Sequence, residues 1–150
     1  AGGVPMGATL VKPDILSVIS KGEHSSTFGG NPLSCAAGIA ALKALTEDGL
    51  IENSEKMGKI FRDGLEKLKE KHTMIREIRG KGLMIGIEMK FEVKDILMGL
   101  IDKGVLMLYS GRNILRVLPP LIISEEDITK VLHALDSILT KEEQKRDVQG

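Results

Sequence analysis

The sequence predicts an α+β fold in which an antiparallel sheet carries its helices on one side. Three observations lead there. Leu83, Ile85, Ile87 and Met89 are apolar at alternate positions, the period of a half-buried strand. Met57, Ile60, Phe61, Leu65 and Leu68, and later Ile128, Val131, Leu132, Leu135, Ile138 and Leu139, recur at helical spacing, which buries one face of each helix. These elements follow one another as helix, two strands, helix, two strands, helix, and the short connections between them favour antiparallel pairing.

The individual elements can be justified in chain order. Ala1 to Val11 is a glycine-rich turn followed by a short apolar strand candidate that ends before Pro13. That strand has no neighbour nearby to pair with, and reads as cut from something longer. Pro13 to Ile19 is a turn or brief helical stretch. Asn31 is a good N-cap and Pro32 suits the first helical position, so a helix opens there. Its apolar residues Leu33, Ala36, Ala37, Ala40 and Leu45 run to the glycine stop at Gly49 and Leu50. The amphipathic helix from Met57 ends near His72. Ile75 to Ile78 is a possible strand, with a turn at Gly80 or Gly82 before the alternating stretch. Val93, Ile96, Leu97, Leu100 and Ile101 mark a short helix stopped by Gly104. Val105 to Tyr109 and Ile114 to Leu118 are strands, and Pro119-Pro120 ends the second. Ser124 to Asp127 resembles a capping box that opens the last helix. Residues 141–150 are expected to be a charged, frayed tail.

Composition narrows the function. The chain has 150 residues, enough for one ordinary domain with a real core, and 42% of them are hydrophobic. Lys+Arg 21 balance Asp+Glu 21, which argues against a dominant nucleic-acid or anionic-membrane partner. No apolar run approaches the roughly 18 residues of a membrane span, and no basic-then-apolar leader opens the chain. Aromatics are only 3%, too few for stacking platforms. The single cysteine, Cys35, excludes an internal disulfide and fits a reducing cytoplasm.

The chemistry-bearing stretch is His24-Ser25-Ser26-Thr27-Phe28-Gly29-Gly30-Asn31. Its glycines let backbone amides approach a ligand, and three hydroxyls stand beside a positive helix terminus. That is a candidate anion site; a capped helix after a tight turn reads the same residues without a ligand. No second His, Cys or carboxylate stands at metal-ligand spacing from His24, so no metal is expected. Cys35, beside alanines, reads as a small buried hydrophobe in preference to a reactive thiol. Arg79 and Lys81 read as solvated turn charges. In Ile114-Leu115-Arg116-Val117-Leu118, alternation puts Arg116 on the face of Ile114 and Leu118. If that face is the inner one, a guanidinium is buried and must be paired; if Leu115 and Val117 point inward, Arg116 is solvated.

Four segments carry a family resemblance. HSSTFGGNPLSCAAG at residues 24–38 resembles the turn before the long inter-domain helix of class-III aminotransferases, which use pyridoxal 5'-phosphate (PLP). GGVPMGA at residues 2–8 is similar to the family segment just after the lysine that forms the Schiff base with PLP. IREIRGKGLMIGIEM at residues 75–89 resembles the start of the small domain's sheet, and ILRVLPP at residues 114–120 the family's arginine-before-Pro-Pro motif. Within the class the chain looks most like the branch acting on acetylornithine, and the resemblance covers only the family's C-terminal part.

The resemblance implies the C-terminal part of a fold-type-I PLP-dependent transferase. Residues 1–31 would be a remnant of the large PLP-binding domain, residues 32–48 the linking helix and residues 49–140 the small domain. Thr27, with Ser26 beside it, would bind the PLP phosphate of a neighbouring subunit, so the parent would be a homodimer. Arg116 would engage a substrate carboxylate, or a glutamate that releases it between half-reactions. The Schiff-base lysine would lie a few residues before Ala1; neither Lys12 nor Lys21 takes that role, and the fragment alone is expected to be inactive. The implied reaction moves an amino group from acetylornithine to 2-oxoglutarate in the cytoplasm. FGGNP speaks against semialdehyde aminomutases, but leaves ornithine, 4-aminobutyrate and LysW-linked aminoadipate semialdehyde enzymes open. A self-contained, non-catalytic α+β ligand-binding or interaction domain is the alternative from another class.

Overall fold

The computed structural model describes residues 1–147, and they fall into two compact units divided between Gly49 and Leu50. The first unit holds a four-residue helix α1 (Pro13–Leu16) and the helix α2 (Pro32–Glu47). The strand expected before Pro13 is absent: residues 5–12 form no ladder, and the first unit holds no other strand to pair with them. The N-terminus of α2 is built as its sequence requires. Asn31 Oδ1 accepts from the Ser34 amide at 3.0 Å, the Asn31 carbonyl accepts from the Cys35 amide at 3.0 Å, and Pro32 supplies no amide to leave unpaired. The helix ends at Asp48, and Gly49 follows with a φ of 69°.

The second unit runs α3 (Leu50–Lys71), β1 (Ile75–Lys81), β2 (Met84–Met89), α4 (Lys94–Asp102), β3 (Leu108–Ser110), β4 (Ile114–Val117) and α5 (Glu125–Asp147). The strands form one antiparallel sheet in the order β1-β2-β4-β3. Ile85, Ile87, Met89, Leu115 and Val117 point to the inner face, where they meet Phe61 and Leu65 of α3, Ile96 and Leu100 of α4, and Ile128, Leu135 and Leu139 of α5. This is the α+β arrangement that the alternation predicts, with helices on one face and the other face open. Close packing depends on a glycine pair. A Cβ at Gly58 of α3 would stand 2.1 Å from the Gly82 carbonyl oxygen in the β1–β2 turn, so the helix lies against bare backbone.

Several element boundaries differ from expectation: β1 runs on to Lys81, α3 begins at Leu50, β4 stops at Val117, and two further differences have a clear cause. The strand foreseen from Val105 to Tyr109 is only Leu108–Ser110, because Val105 is held back: its amide donates to the Leu100 carbonyl at 2.9 Å and closes the end of α4. The tail foreseen from Lys141 is helical through Asp147; residues 148–150 lie outside the described part. Side-chain contacts hold its last turns. Glu142 is buried and paired with Lys145 at 2.6 Å, and Arg146 lies over the Phe91 ring, 3.5 Å from its centre. The foreseen capping box forms: the Asp127 amide donates to Ser124 Oγ at 3.2 Å, and Ser124 Oγ donates to Asp127 Oδ2 at 2.6 Å.

One cluster was not foreseen. His72, just past α3, is buried with Nε2 2.6 Å from Asp136 and Nδ1 2.9 Å from Glu143, while Lys71 reaches Asp136 at 2.7 Å. It ties the end of α3 to two successive stretches of α5. Its partners are 64 and 71 residues away in sequence, a separation that no local pattern announces.

Candidate functional site

The chemistry-bearing residues fall in both units. In the first, the turn from His24 to Gly30 is exposed throughout and opens onto a broad cleft of about 910 Å³ lined by His24, Ser25, Ser26, Phe28 and Met6, among others. Local bonds shape the turn: the Gly29 amide donates to the Ser26 carbonyl at 3.2 Å, Asn31 Nδ2 donates to the Phe28 carbonyl at 2.8 Å, and Gly30 takes a φ of 71°. None of the side-chain bonds of this turn uses the hydroxyls of Ser25, Ser26 or Thr27. Thr27 stands on the turn beside the cleft, outside its lining. His24 is exposed, and Cys35 is half-buried, between the two states weighed for it.

This geometry reassigns the anion-binding capacity of the turn. Two of the first amides of α2 are spent on Asn31, and Pro32 has none, so the helix terminus contributes less than its position suggests. The hydroxyls of Ser25, Ser26 and Thr27 are uncommitted, as are the amides of Thr27, Gly30 and Leu33. Three neutral hydroxyls on consecutive residues suit the oxygens of a phosphate group, each giving one hydrogen bond with no charge to neutralise. That fits the phosphate of PLP; nothing in this turn addresses a pyridine ring. Lys12 and Lys21 are both exposed.

In the second unit the candidate residue is Arg116. Leu115 and Val117 are buried, so Arg116 points to the open face of the sheet. The register pairs it with Gly86 on β2 and Leu108 on β3. It makes no ion pair among the described residues. The other arginines of that face are engaged: Arg79 contacts Glu88 at 2.7 Å and Glu77 at 2.8 Å, and Arg76 contacts Glu88 at 3.1 Å. Glu77 and Glu88 are directly opposed across β1 and β2, and the arginines offset their repulsion. Hydrogen bonds from Arg79, then Arg76, hold the Glu88 carboxyl below the usual carboxylate range. Arg79 is therefore a satisfied structural cation, and Arg116 is left as the guanidinium of this face with spare donors.

The sequence matches the class-III aminotransferase family model over residues 1–139, and the chain belongs to that family, whose members depend on PLP. It is 49% identical over 141 residues to the acetylornithine aminotransferase of Caldanaerobacter subterraneus subsp. tengcongensis, a match that covers 93% of this chain and 36% of the relative. Its fold is similar to acetylornithine aminotransferase from Elizabethkingia anophelis, with a TM-score of 0.81 and 36% identity over 88% of this chain and 36% of that one. Ornithine aminotransferase from Toxoplasma gondii is comparably similar, with a TM-score of 0.82 and 33% identity over 88% of this chain and 32% of that one. The chain thus spans about a third of the length of the relatives it matches.

Proposed function

We propose that this chain is the C-terminal part of an aminotransferase that moves an amino group from N-acetylornithine, or a similar ω-amino acid, to 2-oxoglutarate. The observation that carries the reading is Arg116, an arginine with spare donors on the open face of a sheet, in a chain of this family. A planar guanidinium offers two parallel N–H donors to a carboxylate, and both the amino donor and the oxo acid carry one. Arg116 would orient the substrate by that fork, or pair with a glutamate between half-reactions. PLP, when bound, supplies the electron sink that lets a proton leave the substrate carbon. Thr27 and Ser26 would donate their hydroxyls to its phosphate, serving the neighbouring subunit of a homodimer. The lysine that holds PLP would lie upstream of Ala1, with residues 1–31 belonging to the large domain, 32–48 to the linking helix and 49–140 to the small domain. Ornithine as donor has equal standing on the fold alone, since relatives of both names match. Among the described residues no helix is long and apolar enough to cross a membrane, and a cytoplasmic enzyme is the proposed setting.

Arg116→Gln in the full-length, PLP-loaded enzyme tests the reading. Losing a charged hydrogen-bonding partner should lower kcat/KM for 2-oxoglutarate about 10- to 100-fold, about 1.5–3 kcal/mol of lost contact. Unchanged kinetics with both substrates would overturn the role of Arg116. Borohydride reduction of this chain with PLP, read by mass spectrometry, should label exposed lysines weakly and at scattered sites. Stoichiometric labelling of one lysine, blocked by an amino-acid substrate, would move the Schiff-base residue into this chain.

A further inference from the structure

Eight glycines stand between Leu50 and Asp147, and seven of them have a visible conformational or packing reason. Gly80, Gly82, Gly104 and Gly111 have positive φ, while a Cβ at Gly58, Gly64 or Gly99 would come within 3 Å of a neighbouring atom. Gly86 has neither reason. It sits inside the central strand β2 with an ordinary φ, and the nearest atom to an added Cβ is Ile114 Cγ2 at 3.5 Å, a normal van der Waals contact. Glycine in a strand interior weakens the strand, because it loses more freedom on folding and packs no side chain. A fold-neutral alanine would serve the sheet better.

Position supplies the missing reason. Ile85 and Ile87 point inward, so Gly86 opens onto the outer face, flanked by Arg79 on β1 and by Arg116 on β4. An added Cβ would have Ile114 Cγ2 at 3.5 Å and Arg79 Cγ at 4.0 Å as near neighbours, and on the β4 flank the Cβ of directly opposed Arg116 would lie about 5 Å away. Arg79, on the other flank, is tied to Glu77 and Glu88. Bare backbone therefore lies next to the arginine with spare donors and not merely next to an arginine.

We infer that Gly86 is a positioning residue for substrate: its missing side chain leaves the strip of β2 beside Arg116 clear, so that the guanidinium can lie over the strand and take a carboxylate in its plane. The inference rests on the proposed carboxylate-binding role of Arg116. Any side chain at residue 86 narrows the approach of the carboxylate without touching the inner core, so it acts on binding and leaves folding intact.

The test uses the full-length, PLP-loaded enzyme with 2-oxoglutarate as the probe. Gly86→Ala should raise KM for 2-oxoglutarate about tenfold with kcat unchanged, as a misfitted methyl in a binding site does. The thermal midpoint should stay equal or rise, and about ten times more 2-oxoglutarate should be needed for the same ligand-induced rise in midpoint. In an Arg116→Gln background, Gly86→Ala should add nothing further, because the two residues act on one contact. If Arg116→Gln raises KM while Gly86→Ala does not, the inference about Gly86 is wrong and the reading of Arg116 stands. If Arg116→Gln changes nothing, both fall. A Gly86→Ala variant that lowers kcat and the thermal midpoint together, with no coupling to Arg116, would make Gly86 a packing residue and overturn the inference.

Discussion

Helices α2 and α3 follow one another in the chain, 16 and 22 residues long, and their fates are opposite to their compositions. α2 is the more apolar, with Lys43 and Glu47 its only charged residues, yet no residue of it is buried. Leu33, Ile39 and Leu42 are all more than half exposed. α3 is crowded with lysine and glutamate, yet buries Met57, Gly58, Phe61 and Leu65. Apolar content alone therefore does not predict burial; a helix face is buried when a matching face is there to receive it. α3 has the sheet, whereas α2 is held by its Asn31 cap and by the helix propensity of its alanines. Exposed large apolar side chains on such a helix mark a surface made for contact, in keeping with its proposed place between two domains.

That contrast can be broken by substitution. Phe61→Ala removes a large side chain that is 1% exposed, and should cost about 3–5 kcal/mol in denaturant unfolding. Leu33→Ala in α2, made in this chain by itself, should stay within about 0.5 kcal/mol. Comparable losses at the two sites would mean that both units unfold as one and that α2 is packed.

The His72 cluster sharpens the comparison at an intermediate scale. His72→Ala should destabilise the chain by about 2 kcal/mol, because it removes hydrogen bonds to two carboxylates at a buried position. Acid should expose the same link. A hydrogen bond from Lys71, and then one from His72, holds the Asp136 carboxyl below the usual carboxylate range. The folded value therefore lies below the unfolded one near about 3.9. Asp136 stabilises the fold fully above that pH, and its contribution fades as pH falls through the folded value. Unfolding midpoints measured between pH 7 and pH 2 should fall more gently for Asp136→Asn than for the wild type; parallel curves would remove Asp136 from the acid response.

A smaller effect than that of His72 comes from matched capping residues. Ser124→Ala deletes the cap of α5, which packs into the core, and should cost about 1 kcal/mol in the main unfolding transition. Asn31→Ala deletes equally good capping geometry at α2 and should leave that transition in place, lowering only the helical circular dichroism. Equal shifts for the two would contradict the division at Gly49.

What the sequence determined by itself is what short-range physics writes into adjacent residues. The alternation from Leu83 to Met89, the spacing from Met57 to Leu68, the Asn31-Pro32 start and the Ser124-Asp127 box each depend on neighbours within one or two turns. Each of them stands in the structure, the strand starting one residue later at Met84 with Leu83 buried in the turn before it. The HSSTFGGNP turn was legible as a hydroxyl-rich entry to a helix for the same reason. Tertiary structure decided everything that depends on which face meets which. Alternation left Arg116 undetermined between inside and outside, and only the burial of Leu115 and Val117 sends it to the open face. The short β3 follows from the grip of Leu100 on Val105, and the helical end of α5 from Glu142, Glu143 and Arg146 meeting partners on other elements or on their own turn. Gly86 was one glycine among 17 in the sequence; only the pairing of three strands shows that it has no duty to the fold. Side-chain period is a local quantity, whereas the choice of a partner face is settled by the whole packed unit at once.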